Sequence, residues 1–306
     1  MTMSGHLWET WAPNPSGAAP EVRSLLRAVM GLHSTFSDEI WLWRGQADAN
    51  HNLEPGMHTR VRGTTGVAFE EANVLWATAH LLANARDNRL DLVEDLRLPD
   101  LALLAHLQHH GAATPLLDVS VDPLVALWMV VHASRSDVTA LDDRAGVLFA
   151  IRKPPRTQWI SALDSRSYWQ GEGRDRRDRG VGDAYNGAVH WYRAPDISER
   201  LRIQRGSFLA GPLDDRGSVT LPLDARPGTN WLERRIERLG KPGQPVKPQT
   251  DIAAFRIRGG LKGELRRWLE DRAGLTQEVI YPTPWHRPFL EDFCRAYGRD
   301  RPLDVP

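Results

Sequence analysis

The sequence predicts an α+β protein, with a helical N-terminal half packed on a mixed β-sheet. Three observations carry this prediction. Early in the chain, apolar residues recur at spacings of three and four. From Gly146 onward, short apolar runs bounded by Gly and Pro alternate with helical ones. Over 306 residues, 41% hydrophobic and 25% charged, the chain carries enough apolar surface for a sizeable core.

The elements follow in order. Leu25, Leu26, Val29 and Met30 predict an amphipathic helix within residues 20–33, ending near Gly31. Glu39 to Trp43 reads as a short strand closed by Gly45. Ala72, Leu75, Trp76, Ala79 and Leu82 mark a second helix from Phe69 to Leu82. Asp100 is placed to cap a third helix running to His110 and stopped by Gly111, and Asp122-Pro123 starts a fourth through His132. Thr114 to Ser120 reads as the connection between them.

Gly146 to Ile151 has the composition of a buried strand. The segment 154–191 is long, rich in Pro and Arg and poorly periodic, and reads as an insertion. Within it, the charges from Glu172 to Asp183 cancel, as on a solvated loop. Later strands are expected at Arg200 to Leu209, Ala253 to Arg258 and Glu278 to Tyr281. Helices are expected at Trp231 to Leu239, Leu261 to Arg272 and Pro288 to Tyr297. The Pro- and Gly-rich stretch 222–248 reads as turns and linker around one short helix. No repeat or clean boundary emerges, so residues 1–306 read as one domain with long loops.

Composition narrows the function classes. Lys plus Arg equals Asp plus Glu at 39 each, which gives no global field to attract nucleic acid or an anionic membrane. The single cysteine, Cys294, sits at an apolar helical position near Phe293 and reads as core in a reducing, cytoplasmic setting. The N-terminus has no signal-peptide pattern, and the longest apolar stretch, Leu124 to Val131, is too short to span a bilayer. No P-loop, dinucleotide-binding glycine fingerprint or nucleophile elbow is present.

Three clusters stand out. The first is Trp41-Leu42-Trp43-Arg44-Gly45-Gln46, followed by Leu53-Glu54-Pro55-Gly56 and Arg60. An arginine at the end of an apolar strand, followed by glycine, offers a permanent cation and backbone N–H groups to an anion. Its bland reading is an arginine that simply ends a strand. The second cluster is Gln108-His109-His110-Gly111, then Thr114-Pro115-Leu116-Leu117-Asp118, then Asp122 to Leu127. The third is Arg202-Ile203-Gln204-Arg205-Gly206-Ser207-Phe208.

In this order, over about residues 41–281, the clusters resemble the FRG-domain family. Its pattern runs aromatic-Arg-Gly, Gln-His-x-Gly, Thr-x-Leu-Leu-Asp, Ala-Leu and Gln-x-Gly-x-Phe. Three departures stand out: Trp43 replaces a usual Phe or Tyr, Pro115 a usual Arg, and Val119-Ser120 a usual Trp-Thr. The loss of an arginine at Pro115 removes a cation from that turn. The first motif is also similar to the opening strand of Arg-Ser-Glu ADP-ribosyltransferases, which implies an ADP-ribosyltransferase-like sheet and NAD as substrate. FRG domains often occur in bacterial toxin or phage-defence settings.

On this resemblance Arg44, Gly45, Gln46, His109, Thr114 and Ser120 are the expected nucleotide-binding residues. Arg44 would hold the phosphates, and Thr114 or Ser120 would orient the nicotinamide ribose. The carboxylate that glycosyl transfer needs is assigned to Asp118, then Glu54. Gln204 occupies the expected strand but cannot act as a base. The expected partners are a dinucleotide or phosphorylated small molecule, an acceptor macromolecule and a regulatory protein, without a membrane.

Alternatives stay open. The protein could be a non-catalytic nucleotide sensor. His106, His109 and His110 share a helix face and with Asp118 could bind a divalent metal, although helix-end histidines also serve as caps. Twelve Trp, with Arg234-Arg235 and Arg266-Arg267, could bind nucleic acid, although most of those tryptophans sit at core positions. Asp118 could simply cap N–H groups near Leu116 or Ser120, or pair with Arg44.

Overall fold

The computed structural model describes residues 8–17, 20–34, 41–93, 95–134, 136–162, 164, 189–195, 199–211, 231–239, 241, 251–282 and 288–303. The architecture is α+β, and the chain divides into two compact units. The first comprises Met1–Asn52, Val119–Lys153 and Pro222–Pro282. The second comprises Leu53–Asp118, Pro154–Leu221 and Thr283–Pro306. Among the described residues, no helix is long and apolar enough to cross a membrane.

In the first unit, the strands line up as β1 (Trp8–Trp11), β10 (Ile252–Ile257), β6 (Gly146–Arg152), β2 (Trp41–Gln46) and the last two residues of β5 (Leu117–Ser120). The β1–β10 pair is parallel; β10–β6, β6–β2 and β2–β5 are antiparallel. β6 is a continuous apolar run because it is covered on both faces, and only its last residue is exposed. Side chains alternate across a strand, and directly paired residues share a face. One face therefore carries Trp41, Trp43 and Gly45 with Ala150, Leu148, Ala253 and Phe255. The other carries Leu42, Arg44 and Gln46 with Ile151, Phe149 and Val147.

The first face packs on α1 (Glu21–Ser34), α5 (Pro123–Val131) and α8 (Gly259–Ala273), and their apolar residues form one core with it. α5 begins as its sequence requires. Pro123 takes the first turn, and the Asp122 carboxylate accepts the Leu124 N–H at 2.9 Å. α8 stops at Gly274, whose φ of 67° suits glycine and whose N–H reaches the Glu270 carbonyl at 3.2 Å. α7 (Trp231–Glu237) adds Leu232 to this core.

In the second unit α2 (Gly56–Gly63), α3 (Glu71–Asp87) and α4 (Asp100–His109) pack together with α10 (Pro288–Ala296), whose Leu290 and Cys294 are fully part of the core. A short hairpin joins β3 (Leu92–Val93) to β4 (Leu96–Arg97). β7 (Trp159–Ile160) pairs in parallel with β8 (His190–Tyr192), and β8 pairs antiparallel with β9 (Gly206–Ala210), with α6 (Glu199–Ile203) leading into β9. The Arg60 guanidinium closes this unit. It donates to the carbonyls of Arg301 at 2.9 Å and Pro302 at 3.1 Å and lies 5.1 Å from the Tyr297 ring centre.

Several sequence expectations need correction. The strand expected at Arg200 to Leu209 is α6, a turn with Arg205 at a φ of 46°, and then β9, so Gln204 stands in the turn and not on the strand. Glu278 to Tyr281 is the helix α9 (Gln277–Ile280), nucleated by the Thr276 hydroxyl accepting the Val279 N–H at 3.4 Å. Asp100 is not the cap of α4. Pro99 takes that place, and Asp100 pairs with Arg86.

The helix α1 runs past Gly31, where a side chain would strike Leu239 at 2.3 Å, so this glycine serves packing rather than termination. α2 was hidden behind the turn signature Pro55-Gly56, and the connection Thr114 to Ser120 ends in β5. The charge run Glu172 to Asp183 and the Pro-Gly segments at 226–228 and 242–245 lie outside the described residues.

Candidate functional site

Four consecutive residues of β2, Trp43 to Gln46, separate structure from chemistry. Gly45 stands opposite Leu148 in the ladder and faces α5. A Cβ there would lie 1.9 Å from the Ala126 carbonyl oxygen and 3.0 Å from Val130 Cγ2. Glycine is required because helix and strand backbones touch, which accounts for the residue without invoking an anion at its N–H. Trp43, fully buried, lies on the same face against Phe255, 6.3 Å between ring centres.

Arg44 and Gln46 project the other way. Arg44 is half-buried opposite Phe149, and Gln46 is buried opposite Val147. The Gln46 Nε2 donates to the Asn52 carbonyl at 3.0 Å, which fixes the amide orientation because only the NH2 end can face a carbonyl. Its Oε1 is buried and, among the described residues, has no hydrogen-bond partner. A guanidinium among apolar neighbours acts on an anion with less screening than one in open water.

The chain beyond Gln46 is fastened closely. Asp48 accepts Arg144 at 2.8 Å and the Asn50 N–H at 2.9 Å, and the Arg144 bond holds its carboxyl below the usual range. The Ala49 N–H reaches the Ala145 carbonyl at 2.7 Å. Lys262, 1% exposed on α8, donates to the Ala47 carbonyl at 2.6 Å and to the Leu141 carbonyl. Burial lowers its pKa, opposed by Asp142 and Asp48.

Sequence reasoning missed Asp48, Arg144 and Lys262. The available signal was a lysine on the stripe formed by Leu261, Leu265 and Leu269, where a helix ordinarily buries apolar residues.

Ser120 is paired with Trp43 and so belongs to the Trp43 face of β2, opposite to Arg44. Its hydroxyl accepts the Asp122 N–H at 2.9 Å. Within the first unit, the structure therefore brings Arg44 and Gln46 together and sets Ser120 apart from them.

The second unit holds the other candidates. The Thr114 hydroxyl donates to Gln108 and accepts the Leu116 N–H at 3.2 Å, and its carbonyl accepts the Met57 N–H at 3.0 Å. Glu54 is buried and engaged by Arg62 at 2.9 Å and Thr59 at 3.1 Å, while Arg62 lies 4.0 Å over the Phe69 ring. Asp118 is the exposed residue of β5, between buried Leu117 and Val119. The cap foreseen for it near Leu116 is supplied by Thr114.

His109 ends α4, where its carbonyl accepts Arg200 at 2.6 Å and its ring meets Phe208 edge-on at 6.2 Å. Burial first, then Arg200, holds its pKa well below the usual value, so this histidine is neutral at physiological pH. His106 and His110 stack edge to face at 5.0 Å. Among the described residues, no group of three His, Cys, Asp or Glu side chains is arranged to hold a metal ion. Gln204 donates its N–H to the Arg200 carbonyl at 2.9 Å in the turn after α6.

Comparison with curated proteins and with solved structures returns no match. The family model of the FRG domain matches residues 39–138. That segment takes in β2, the Thr114 to Asp118 turn and α5, and ends before the Gln204 to Phe208 cluster. The chain therefore carries an FRG domain at residues 39–138.

Proposed function

We propose that the Arg44–Gln46 face of β2 binds a phosphorylated dinucleotide, with NAD as the favoured ligand, and that the protein transfers ADP-ribose to a macromolecular acceptor. The observation that carries this reading is the placement of Arg44 and Gln46 on one face of a strand whose opposite face is locked by Gly45 against α5. A cation and an amide are thus held rigidly, beside the apolar Phe149 and Val147, where a pyrophosphate would gain most from a charge-assisted bond. The similarity of this motif to the opening strand of Arg-Ser-Glu transferases supports NAD over other phosphates. A toxin or phage-defence setting is what the family resemblance adds.

In such a transfer the nicotinamide–ribose C–N bond breaks, an acceptor oxygen or nitrogen bonds to the ribose carbon, and the acceptor proton passes to a carboxylate. Asp118, exposed on β5, is the carboxylate that the resemblance assigns; by strand alternation it shares the Ser120 face of β5, and Glu54 is already engaged by Arg62 and Thr59. The test is nicotinamide release and labelled ADP-ribose incorporation, with purified protein, cell lysate and NAD. Turnover abolished by Asp118→Asn in a folded protein supports the assignment. Full activity in that variant removes Asp118 from it.

A non-catalytic nucleotide sensor is the second reading. The engagement of the Thr114 hydroxyl and the Glu54 carboxylate favours it, because it leaves fewer groups for chemistry. NAD binding without nicotinamide release would select it.

A further inference from the structure

We infer that Lys262, on α8 and 124 residues beyond the end of the FRG match, is the positioning residue that sets the strand end carrying Arg44 and Gln46. The inference deepens the nucleotide-binding reading and rests on it for its ligand arm alone.

Lys262 is 1% exposed, and its ammonium reaches two backbone carbonyls from different segments. One belongs to Ala47, the residue after Gln46; the other belongs to Leu141, in the turn that precedes β6. A buried lysine is costly to desolvate, and it is retained where its N–H donors have fixed acceptors. Its stem also needs room. A Cβ on Gly146 would lie 2.4 Å from Val130 Cγ1, 3.0 Å from the Gln46 carbonyl and 3.3 Å from Lys262 Cε, so glycine at the first residue of β6 is required chiefly by Val130 and lies beside the lysine stem.

The surrounding contacts make the arrangement specific. Arg266, one turn along α8, donates to the Val131 carbonyl at 2.9 and 2.6 Å and to Asp142 at 2.6 Å. It therefore anchors the end of α5 and the 139–143 turn, but not β2. Asp48 and Asp142 act to keep the lysine charged, against burial and Arg266. Of the α8 cations, Lys262 is the one that holds the chain immediately after the motif. Removing its donors leaves the part-buried Ala47 carbonyl without this partner and frees the strand end, while the apolar stripe of α8 remains.

Hydrogen exchange on the full chain tests this without any ligand. In Lys262→Met, amides of residues 44–50 are expected to exchange at least tenfold faster than in the wild type, with amides of α1 unchanged. Arg266→Gln should leave residues 44–50 protected. Equal acceleration throughout the first unit, or none at residues 44–50, overturns the assignment.

Should Lys262→Met fail to fold, the wild type labelled at lysine side-chain nitrogen decides instead. A slowly exchanging Nζ resonance coupled to the Ala47 and Leu141 carbonyl carbons is expected, and a Lys262 signal exchanging like a surface lysine overturns the assignment. The positioning role has its own readout in ADP-ribose affinity, which should fall at least tenfold in Lys262→Met and stay unchanged in Arg266→Gln. Unchanged affinity in Lys262→Met overturns the role. Wild-type protein that does not bind ADP-ribose refutes the nucleotide reading, while the exchange data still decide whether Lys262 holds the strand end.

Discussion

Replacing Gly45 with alanine puts a methyl carbon 1.9 Å from the Ala126 carbonyl oxygen, 3.0 Å from Ala126 C and 3.0 Å from Val130 Cγ2. Ordinary non-bonded contacts lie near roughly 3.5 Å, so strand and helix must separate by more than about 1 Å. The Ala126 atoms are backbone and cannot rotate aside as a side-chain tip can. Overpacking of a core costs about 1–3 kcal/mol, and a clash with helix backbone belongs at the top of that range, about 3 kcal/mol. For a unit of this size that corresponds to a fall in Tm of about 6–12 °C.

Thermal melting followed by circular dichroism measures it. The double variant Gly45→Ala, Val130→Ala should recover less than half of the loss, because Val130→Ala leaves the Ala126 contact in place. A Gly45→Ala protein melting within about 2 °C of the wild type, the shift of a loss of only about 0.5–1 kcal/mol, would refute the argument that this glycine exists for helix–strand contact.

Three further outcomes are expected. Arg60→Ala leaves the Arg301 and Pro302 carbonyls without their donor and should destabilise the second unit by about 2–4 kcal/mol in urea unfolding, with a change under about 0.5 kcal/mol contradicting it. His58 is pushed down to about 3 by burial and by Arg62, against an ordinary 6.5. The unfolded chain thus binds the extra proton between those values, so stability falls as pH drops from 6.5 toward 3, at up to about 1.4 kcal/mol per pH unit. Melting from pH 7 to 4 should show a shallower decline in His58→Gln, and parallel curves would sink the point. Cys294, buried in α10 with its thiol pushed up to about 12, should resist alkylation in the native protein and react after denaturation; rapid native labelling would contradict its place in the core.

Much of the fold was legible where one residue pattern met one local rule. Asp122-Pro123 announced α5, the run Gly146 to Ile151 announced β6, and the apolar stripe of Glu21 to Leu32 announced α1. Legibility failed where local signals conflicted with partners far along the chain. Pro55-Gly56 suggests a turn, yet Met57 and Val61 are drawn into the core as the buried side of α2. Glu278 to Tyr281 has strand-like residues, but the Thr276 hydroxyl starts a helix there.

The site divides in the same way. Trp43 to Gln46 could be recognised as a motif, but the reason for Gly45 lies in α5, about eighty residues later. Ser120 looked like a partner of Arg44 until its pairing with Trp43 fixed its face. Lys262 carried only the faint mark of a cation on an apolar stripe, because the carbonyls it serves are backbone groups with no sequence identity.

The most direct test of the central claim is calorimetric titration of ADP-ribose and NAD into wild type and Arg44→Ala, with melting curves for both. Wild-type binding that weakens about ten- to hundredfold in the variant, as loss of a charge-assisted hydrogen bond implies, with the variant still melting cooperatively, is the predicted result. No binding to the wild type, or equal binding to both proteins, would contradict it.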